Sequence, residues 1–295
     1  MRNFIQRVIK KMRRTLHGKA APADHFSCSK ANLFGENLTF YTHDRDEFTG
    51  AALRDDRDYF PQDMTELRTL FEMVHDGDSI LDIGGNIGLY GSVLGRKCPR
   101  SQIVSVEPDP INFALYTLNT HVNGCRNTAG FNIALGADDG WLKFYRNIRN
   151  PGDSLSFKPP GEYLSQQATK LTEQWVRKIN ARQFLEDIRV LFPGFGPQIV
   201  KIDTQGADIV ILETLLPLLA MGTIISLELS PHHLRMAGTS WDKTISCLTH
   251  LNKIERLDID GNAARRTPIT IEEIKSFLQT YPERDIGYWD LFLSV

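Results

Sequence analysis

Three carboxylates stand where they could direct chemistry on a bound ligand. Asp82, Glu107 and Asp203 each come at or near the end of a short run rich in Ile, Leu and Val. A glycine-rich turn, residues 84–88, follows Asp82 directly. Continuously apolar runs are typical of strands buried in a parallel sheet, and open α/β sheets bind ligands beyond the carboxyl ends of their strands. We therefore predict one cleft that all three carboxylates face.

The residue types in this cleft favour an amino acid joined to a nucleoside. The phosphate-binding fingerprint GxGxxG is absent, and the Asp82 carboxylate would repel a pyrophosphate but attract an α-ammonium group. Gly84 and Gly88 would allow the backbone to approach a ligand closely. Glu107, 25 residues after Asp82, stands where an acidic side chain can accept hydrogen bonds from both ribose hydroxyls. S-adenosylmethionine has both parts, and we predict it as the cofactor.

Alternating apolar and amphipathic segments must position these carboxylates. Strands are predicted at residues 79–83, 103–107, 198–203, 223–229, 254–259 and 288–295. Helices are predicted at residues 64–75, 87–97, 111–122, 207–219, 241–253 and 271–280. Such alternation gives βαβ units. We expect a Rossmann-like α/β fold, a doubly wound and mostly parallel sheet of seven strands with helices on both faces.

This α/β domain is expected to span residues 64–295. It carries an insertion near residues 141–182, for which we predict a hairpin over 141–157 and a short strand at 175–179. Residues 21–63, polar and without clear periodicity, are expected to form a helical or irregular cap or lid.

Residues 1–20 differ from the rest of the chain in charge. They hold seven basic and no acidic residues, and their apolar residues recur at helical spacing, which predicts a basic amphipathic helix. Such a helix could contact a membrane surface peripherally, dock on the body of the protein, or act as an organelle-targeting presequence. The sequence leaves these three possibilities open.

The remaining composition limits partners and location. Since the whole chain has a net charge of −2 and residues 1–20 contribute +7, residues 21–295 carry −9, which disfavours nucleic acid as a partner. The four cysteines form no CxxC pair, so neither a disulfide framework nor a zinc site is indicated. We expect a cytoplasmic protein without a metal, and peripheral attachment to a membrane surface is the alternative location.

Five motifs resemble the FkbM-type family of class I S-adenosylmethionine-dependent methyltransferases. They are Asp82-Ile-Gly84-Gly85-Asn86-Ile-Gly88, Glu107-Pro-Asp-Pro, Asn132-Ile-Ala134-Leu135-Gly, Gly152-Asp-Ser154-Leu and Lys201-Ile-Asp203-Thr-Gln-Gly206-Ala-Asp208. The resemblance covers roughly residues 64–232. Two positions depart from the family pattern: Gly85 replaces the usual Ala, and Gln205 stands where Glu is frequent.

The resemblance implies transfer of a methyl group, commonly to a hydroxyl of a sugar, a glycan or a natural-product scaffold. It assigns cofactor binding to Asp82, Gly84, Gly85, Asn86, Gly88, Glu107, Pro108, Ala134 and Asp203, with Ala134 near the adenine and Asp203 near the methionine end.

A hydroxyl acceptor also needs a base for its proton. The candidates are Asp203, Glu228 at the end of the next strand, and His232 or His233 in the loop just beyond it. We take His232 as the base, because an imidazole titrates near neutral pH.

Alternative functions differ from this one in identifiable ways. An NAD-dependent dehydrogenase is disfavoured by the missing fingerprint. A catalytically degenerate Rossmann-like binding protein would not need three strand-tip carboxylates. A methyltransferase of protein or nucleic acid remains an alternative, although the Asn-Pro-Pro-Tyr type of motif is absent after residue 203.

Overall fold

The structure, a computed structural model, describes residues 25–55, 61–159, 171–260, 263–281 and 287–295. The helix and membrane contact predicted for residues 1–20 lie outside the described residues. No helix in the described ranges is both long enough and apolar enough to cross a membrane.

Strands and helices alternate along most of the described chain. The strands, in chain order, are β1 (Phe26–Leu33), β2 (Glu36–His43), β3 (Ser79–Ile83), β4 (Gln102–Val106), β5 (Thr128–Phe131), β6 (Ala134–Gly136), β7 (Gly140–Asn147), β8 (Leu171–Asn180), β9 (Ile199–Ile202), β10 (Ile224–Leu229), β11 (Lys253–Asp260), β12 (Ala263–Pro268) and β13 (Trp289–Ser294). The α-helices are α1 (Thr49–Asp55), α2 (Pro61–Met73), α3 (Leu89–Lys97), α4 (Pro110–Val122), α5 (Ala181–Leu191), α6 (Asp208–Leu215), α7 (Pro231–Ala237), α8 (Trp241–Leu248) and α9 (Ile271–Thr280).

The central sheet has eight strands in the order β12-β11-β13-β10-β9-β3-β4-β5. The five strands from β10 to β5 run parallel, and β13 runs antiparallel to both of its neighbours. The prediction of a doubly wound, mostly parallel sheet is confirmed, but the count of seven is wrong. No range was predicted for two strands of the sheet, β5 beside β4 and β12, an antiparallel partner of β11 at the sheet edge. The β12 sequence AARRTP has no apolar run, because an edge strand has less surface to bury.

Both faces of the sheet are covered, as predicted. On one face, Ile80 and Ile103 pack in a cluster with residues of α2 and α3, including Leu70. On the other face, Leu81 and Val104 pack with residues of α5, α6, α8 and α9. Successive strand residues thus point to opposite cores, which is why the strands are mostly apolar on both faces.

The segment expected to be helical or irregular between residues 21 and 63 instead contains a β-hairpin, β1 paired with β2, followed by α1. Two asparagines, one in α4 and one directly after it, hold the hairpin. The side-chain amide of Asn119 exchanges two hydrogen bonds with the backbone of Tyr41, at 2.7 and 3.0 Å, and that of Asn123 does the same with Thr39, at 2.8 Å each. The hairpin is therefore anchored to the α/β domain. Its role as a lid stays a prediction.

The insertion forms a small sheet of order β6-β8-β7. The hairpin predicted over residues 141–157 is wrong, because β7 pairs along its whole length with β8, and only Tyr145 and Leu155 form an isolated bridge. The Ser154 hydroxyl bonds the amide of Asn147 at 3.1 Å and the carbonyl of Pro151 at 2.9 Å. These bonds close a tight turn in place of a second strand. The strand predicted at 175–179 is confirmed within β8.

Candidate active site

Gly84 allows two strand tips to approach each other. It follows β3 with a φ of +95°, and a methyl group here would lie 1.9 Å from the carbonyl oxygen of Asp203, the residue after β9. The N–H groups of Gly84 and Gly85 both donate to the carbonyl of Val106 at 2.9 Å. The turn is therefore fixed against the ends of β4 and β9 at once.

Glu107, the residue after β4, connects the glycine turn to the start of α4 by hydrogen bonds. Its buried carboxylate accepts the backbone N–H groups of Asn86 and Asp109, each at 2.8 Å. Burial, reinforced by the charge of Asp109, raises the pKa of Glu107 to about 8. A carboxylate oxygen can accept two hydrogen bonds, so a ligand hydroxyl could still be bound here. The carbonyl of Pro108, the next residue, accepts the Asn132 side-chain amide at 3.1 Å.

Two buried oxygens beside the turn lack a hydrogen-bond partner among the described residues. They are Oδ1 of Asp82 and Oδ1 of Asn86. The other carboxylate oxygen of Asp82 accepts the hydroxyl of Ser105 at 3.1 Å, and burial raises the pKa of Asp82. Buried acceptors are normally paired. These two oxygens therefore suit a ligand that donates N–H bonds.

Asp203 projects from the tip of β9 and is partly exposed. Its carboxylate contacts Nζ of Lys201 at 3.3 Å and accepts the side-chain amide of Gln205 at 2.8 Å. Gln205 also reaches Glu228, at the end of β10, at 3.4 Å. The structure thus brings together Asp203 and Glu228, two of the predicted catalytic residues.

Asp208 accepts hydrogen bonds from the backbone of the turn after β9, so the Asp203 side chain is not needed for this purpose. It accepts the amide of Thr204 at 2.7 Å and that of Gly206 at 2.8 Å. Gly206 has a φ of +115°, and a methyl group there would lie 2.9 Å from the carbonyl oxygen of His233 and from the ring of Phe157. The turn is therefore packed tightly against α7.

A second histidine, His233, links the tip of β10 to the insertion. Its Nε2 lies 3.2 Å from Asp153, and its Nδ1 lies 3.7 Å from Glu228. Burial lowers the pKa of His233, but its hydrogen bond to Asp153 and the nearby carboxylate of Glu228 outweigh this effect and raise it to about 10. Burial raises the pKa of Glu228 to about 8. His233 therefore holds a proton at neutral pH and joins these carboxylates.

His232 belongs to helix α7 and not to a loop, which corrects the sequence interpretation. Ser230 caps the helix by accepting the amide of His233 at 3.3 Å, and Pro231 occupies the first helical position. The rings of the two histidines lie 5.5 Å apart. Burial and the charge of His233 lower the pKa of His232. At neutral pH its imidazole is therefore uncharged and able to accept a proton.

Two of the predicted cofactor residues have packing roles. Gly88 precedes α3 with a φ of +83°, and a methyl group there would lie 3.1 Å from Tyr116 of α4. Ala134 packs with Phe144 and Val176 in the small sheet. These contacts place Ala134 in that sheet and not at the glycine turn, and its predicted position near an adenine stays a prediction.

The sequence interpretation missed Asp153 as a member of the site, and it offered His233 only as an alternative base and not as the partner of Asp153. Asp153 belongs to the Gly152-Asp-Ser154-Leu motif, which was the available signal. It also missed a buried cluster beneath the insertion, in which Nε of Arg146 lies 2.8 Å from Asp109 and Arg146 also reaches His43 at 3.3 Å.

The arrangement fits S-adenosylmethionine better than a metal. Asp82 and Asn86 offer buried acceptors for an ammonium group, and Gly84 has no side chain that could fill the space beside them. Glu107 can accept a hydrogen bond from a ribose hydroxyl. Among the described residues, no group of three or more His, Cys, Asp or Glu is arranged to hold a metal ion.

The sequence is similar to known methyltransferases. Residues 82–254 match the family model of the methyltransferase FkbM domain. The chain is 26% identical over 149 residues to Methyltransferase 1 of Beauveria bassiana (strain ARSEF 2860), covering 48% of this chain and 59% of that protein. It is 23% identical over 159 residues to Methyltransferase sdnD of Sordaria araneosa, covering 45% of this chain and 59% of that protein. The chain thus spans less than two thirds of either relative.

Among solved structures, P. horikoshii TYW2 in complex with MeSAdo resembles the chain with a TM-score of 0.46 and 11% identity, over 92% of this chain and 70% of that one. The family match covers more than half of the sequence and includes the glycine turn, Asp203 and Glu228. This chain belongs to the FkbM methyltransferase domain family.

Proposed function

We propose that the protein transfers the methyl group of S-adenosylmethionine to a hydroxyl of a small-molecule acceptor, such as a sugar, a glycan or a natural-product scaffold. The observation that carries the proposal is the pair of unpartnered buried oxygens on Asp82 and Asn86 beside Gly84, a position that admits no side chain. When bound, the cofactor supplies a methyl group already activated by a positively charged sulfur.

The residues of this chain then have two tasks. Asp82 and Asn86 orient the amino-acid end and Glu107 the ribose. Asp203 and Glu228, joined through Gln205, line the tips of β9 and β10 with acidic side chains whose oxygens orient acceptor hydroxyls. Holding two reactants in line accounts for several kcal/mol of barrier reduction in reactions of this kind.

His232 is proposed as the base. The acceptor oxygen forms a bond to the methyl carbon, the carbon–sulfur bond breaks, and the hydroxyl proton passes to His232. The lowered pKa of this imidazole supports the assignment because a base must be unprotonated at the start. His233, held between two carboxylates, keeps α7 in place and is not the base.

Calorimetry tests the cofactor. Wild-type protein should bind S-adenosylmethionine in the micromolar range and should not bind NAD. Asp82→Asn should weaken binding at least tenfold, whereas Asp78→Asn, just before the start of β3 and far from its tip, should leave it unchanged. No binding by the wild type would refute the proposal, and so would equal effects of the two substitutions.

Transfer of labelled methyl groups tests the acceptor. Sugars, hydroxylated natural-product scaffolds, a protein mixture and transfer RNA are offered in parallel. Label on an oxygen of a small molecule, lost at least a hundredfold in His232→Ala, is expected. Label only on RNA or protein would refute the acceptor class, and binding without transfer to any acceptor would indicate a degenerate binding protein.

A further inference from the structure

Four polar side chains form a row across the middle of the parallel sheet. Ser105, Asp82, Lys201 and Ser226, on β4, β3, β9 and β10, are aligned in register and are at most 3% exposed. Two residues earlier, the same four strands carry isoleucine at every position, Ile103, Ile80, Ile199 and Ile224. The row is thus confined to the last layer before the strand tips.

Lys201 is the single cation of this row, and acidic groups surround it. Its Nζ lies 3.3 Å from Asp203, the residue after β9, and 4.7 Å from the ring centre of Tyr90 on α3. Tyr90 and Ser226 both donate hydroxyl hydrogen bonds to Glu66 of α2. Carboxylates therefore face the ammonium from β3, from β9 and from α2.

These neighbours keep the lysine charged. Burial lowers the pKa of Lys201, but Asp203, Asp82 and Glu66 together outweigh that effect and raise it above its ordinary value. A buried charge needs such partners. Among the residues that the structure describes, the Lys201 ammonium is the one positive charge in the row beside the carboxylates of Asp82 and Asp203.

We propose that Lys201 is a positioning residue for methyl transfer, whose ammonium fixes the carboxylates of Asp82 and Asp203 at one spacing for the cofactor. The inference rests on the proposed function. Ser105 donates a hydrogen bond to one oxygen of Asp82, and the charge of Lys201 attracts the same carboxylate from the neighbouring strand. Together they fix the orientation of the carboxylate and therefore the direction of its unpartnered oxygen, Oδ1. Lys201 acts through these carboxylates and not on the reacting atoms.

A double-mutant cycle tests this indirect action. The Kd for S-adenosylhomocysteine is measured by calorimetry for the wild type, Lys201→Met, Asp82→Asn and the double variant. We expect Lys201→Met to weaken binding at least tenfold in the wild-type background and less than twofold in the Asp82→Asn background. A merely structural lysine would weaken binding by the same factor in both.

Two further variants complete the design. Lys178→Met removes a lysine paired with Asp138 at 2.7 Å in the small sheet and should leave the Kd unchanged. Lys201→Gln is used if Lys201→Met does not fold. Equal factors in the two backgrounds, or loss of folding in both Lys201 variants, would overturn the proposal while wild-type binding still supports the proposed function. A wild type without affinity would overturn both.

Discussion

The close approach at Gly84 leads to a quantitative prediction for Gly84→Ala. The added carbon would lie 1.9 Å from the carbonyl oxygen of Asp203, whereas a carbon and an oxygen in contact need roughly 3.3 Å. The turn after β9 must then move by about 1.4 Å. The left-handed backbone contributes about 1–2 kcal/mol of strain, and overpacking contributes about 1–3 kcal/mol more.

Gly222→Ala is the matched control. Gly222 has a φ of +86° but no atom within 4 Å of an added methyl group, so its substitution keeps the backbone strain and omits the collision. Urea denaturation should show that Gly84→Ala lowers the free energy of unfolding by about 1–3 kcal/mol more than Gly222→Ala does. Calorimetry should show at least tenfold weaker cofactor binding in Gly84→Ala alone. Equal losses of stability in the two variants would refute the steric reasoning.

Three other predictions concern the carboxylates of the site. Between pH 4.5 and 8 the folded protein keeps a proton on Glu107 that the unfolded chain has lost. The free energy of unfolding should therefore fall as pH rises in this window. Urea titrations at pH 5.5 and 7.5 should show a smaller fall in Glu107→Gln than in the wild type. His233→Gln removes the cation between Asp153 and Glu228, and it should lower the free energy of unfolding by about 1–3 kcal/mol, measured at pH 7; an unchanged value would contradict the proposed link. Asp208→Ala leaves loop amides unpaired and should destabilise by about 1–3 kcal/mol in urea denaturation. The control is Asp242→Ala, at an exposed position of α8, which should have a smaller effect.

The ends of the parallel strands could be located from the sequence because the strands are mostly apolar on both faces. β3 and β10 match their predicted ranges to within one residue, and the carboxylates of Asp82 and Asp203 follow from position alone. Parallel strands end at one edge of a sheet, so residues more than a hundred positions apart could be assigned to a single cleft.

Interactions set by register or by close packing were beyond the sequence pattern. Lys201 lies in an apolar run, and only the alignment of β9 with β3 reveals it as the neighbour of Asp82. The directions in which His232 and His233 point depend on helix α7, whose position is set by its contact with Gly206. Which of two adjacent histidines meets Asp153 therefore could not be predicted from spacing. Helix α6 ends at Leu215, earlier than predicted, because Pro217 lacks the N–H that a continuing helix requires.

The edge strand β12 has a consequence for how the molecule behaves at high concentration. β12 occupies one edge of the central sheet, and an open edge can pair with the same edge of another molecule. Arg265 and Arg266 are exposed along this edge, and Pro268 at its end lacks the N–H needed for further pairing. Like charges meeting across two such edges would repel, so this strand protects the protein against edge-to-edge aggregation.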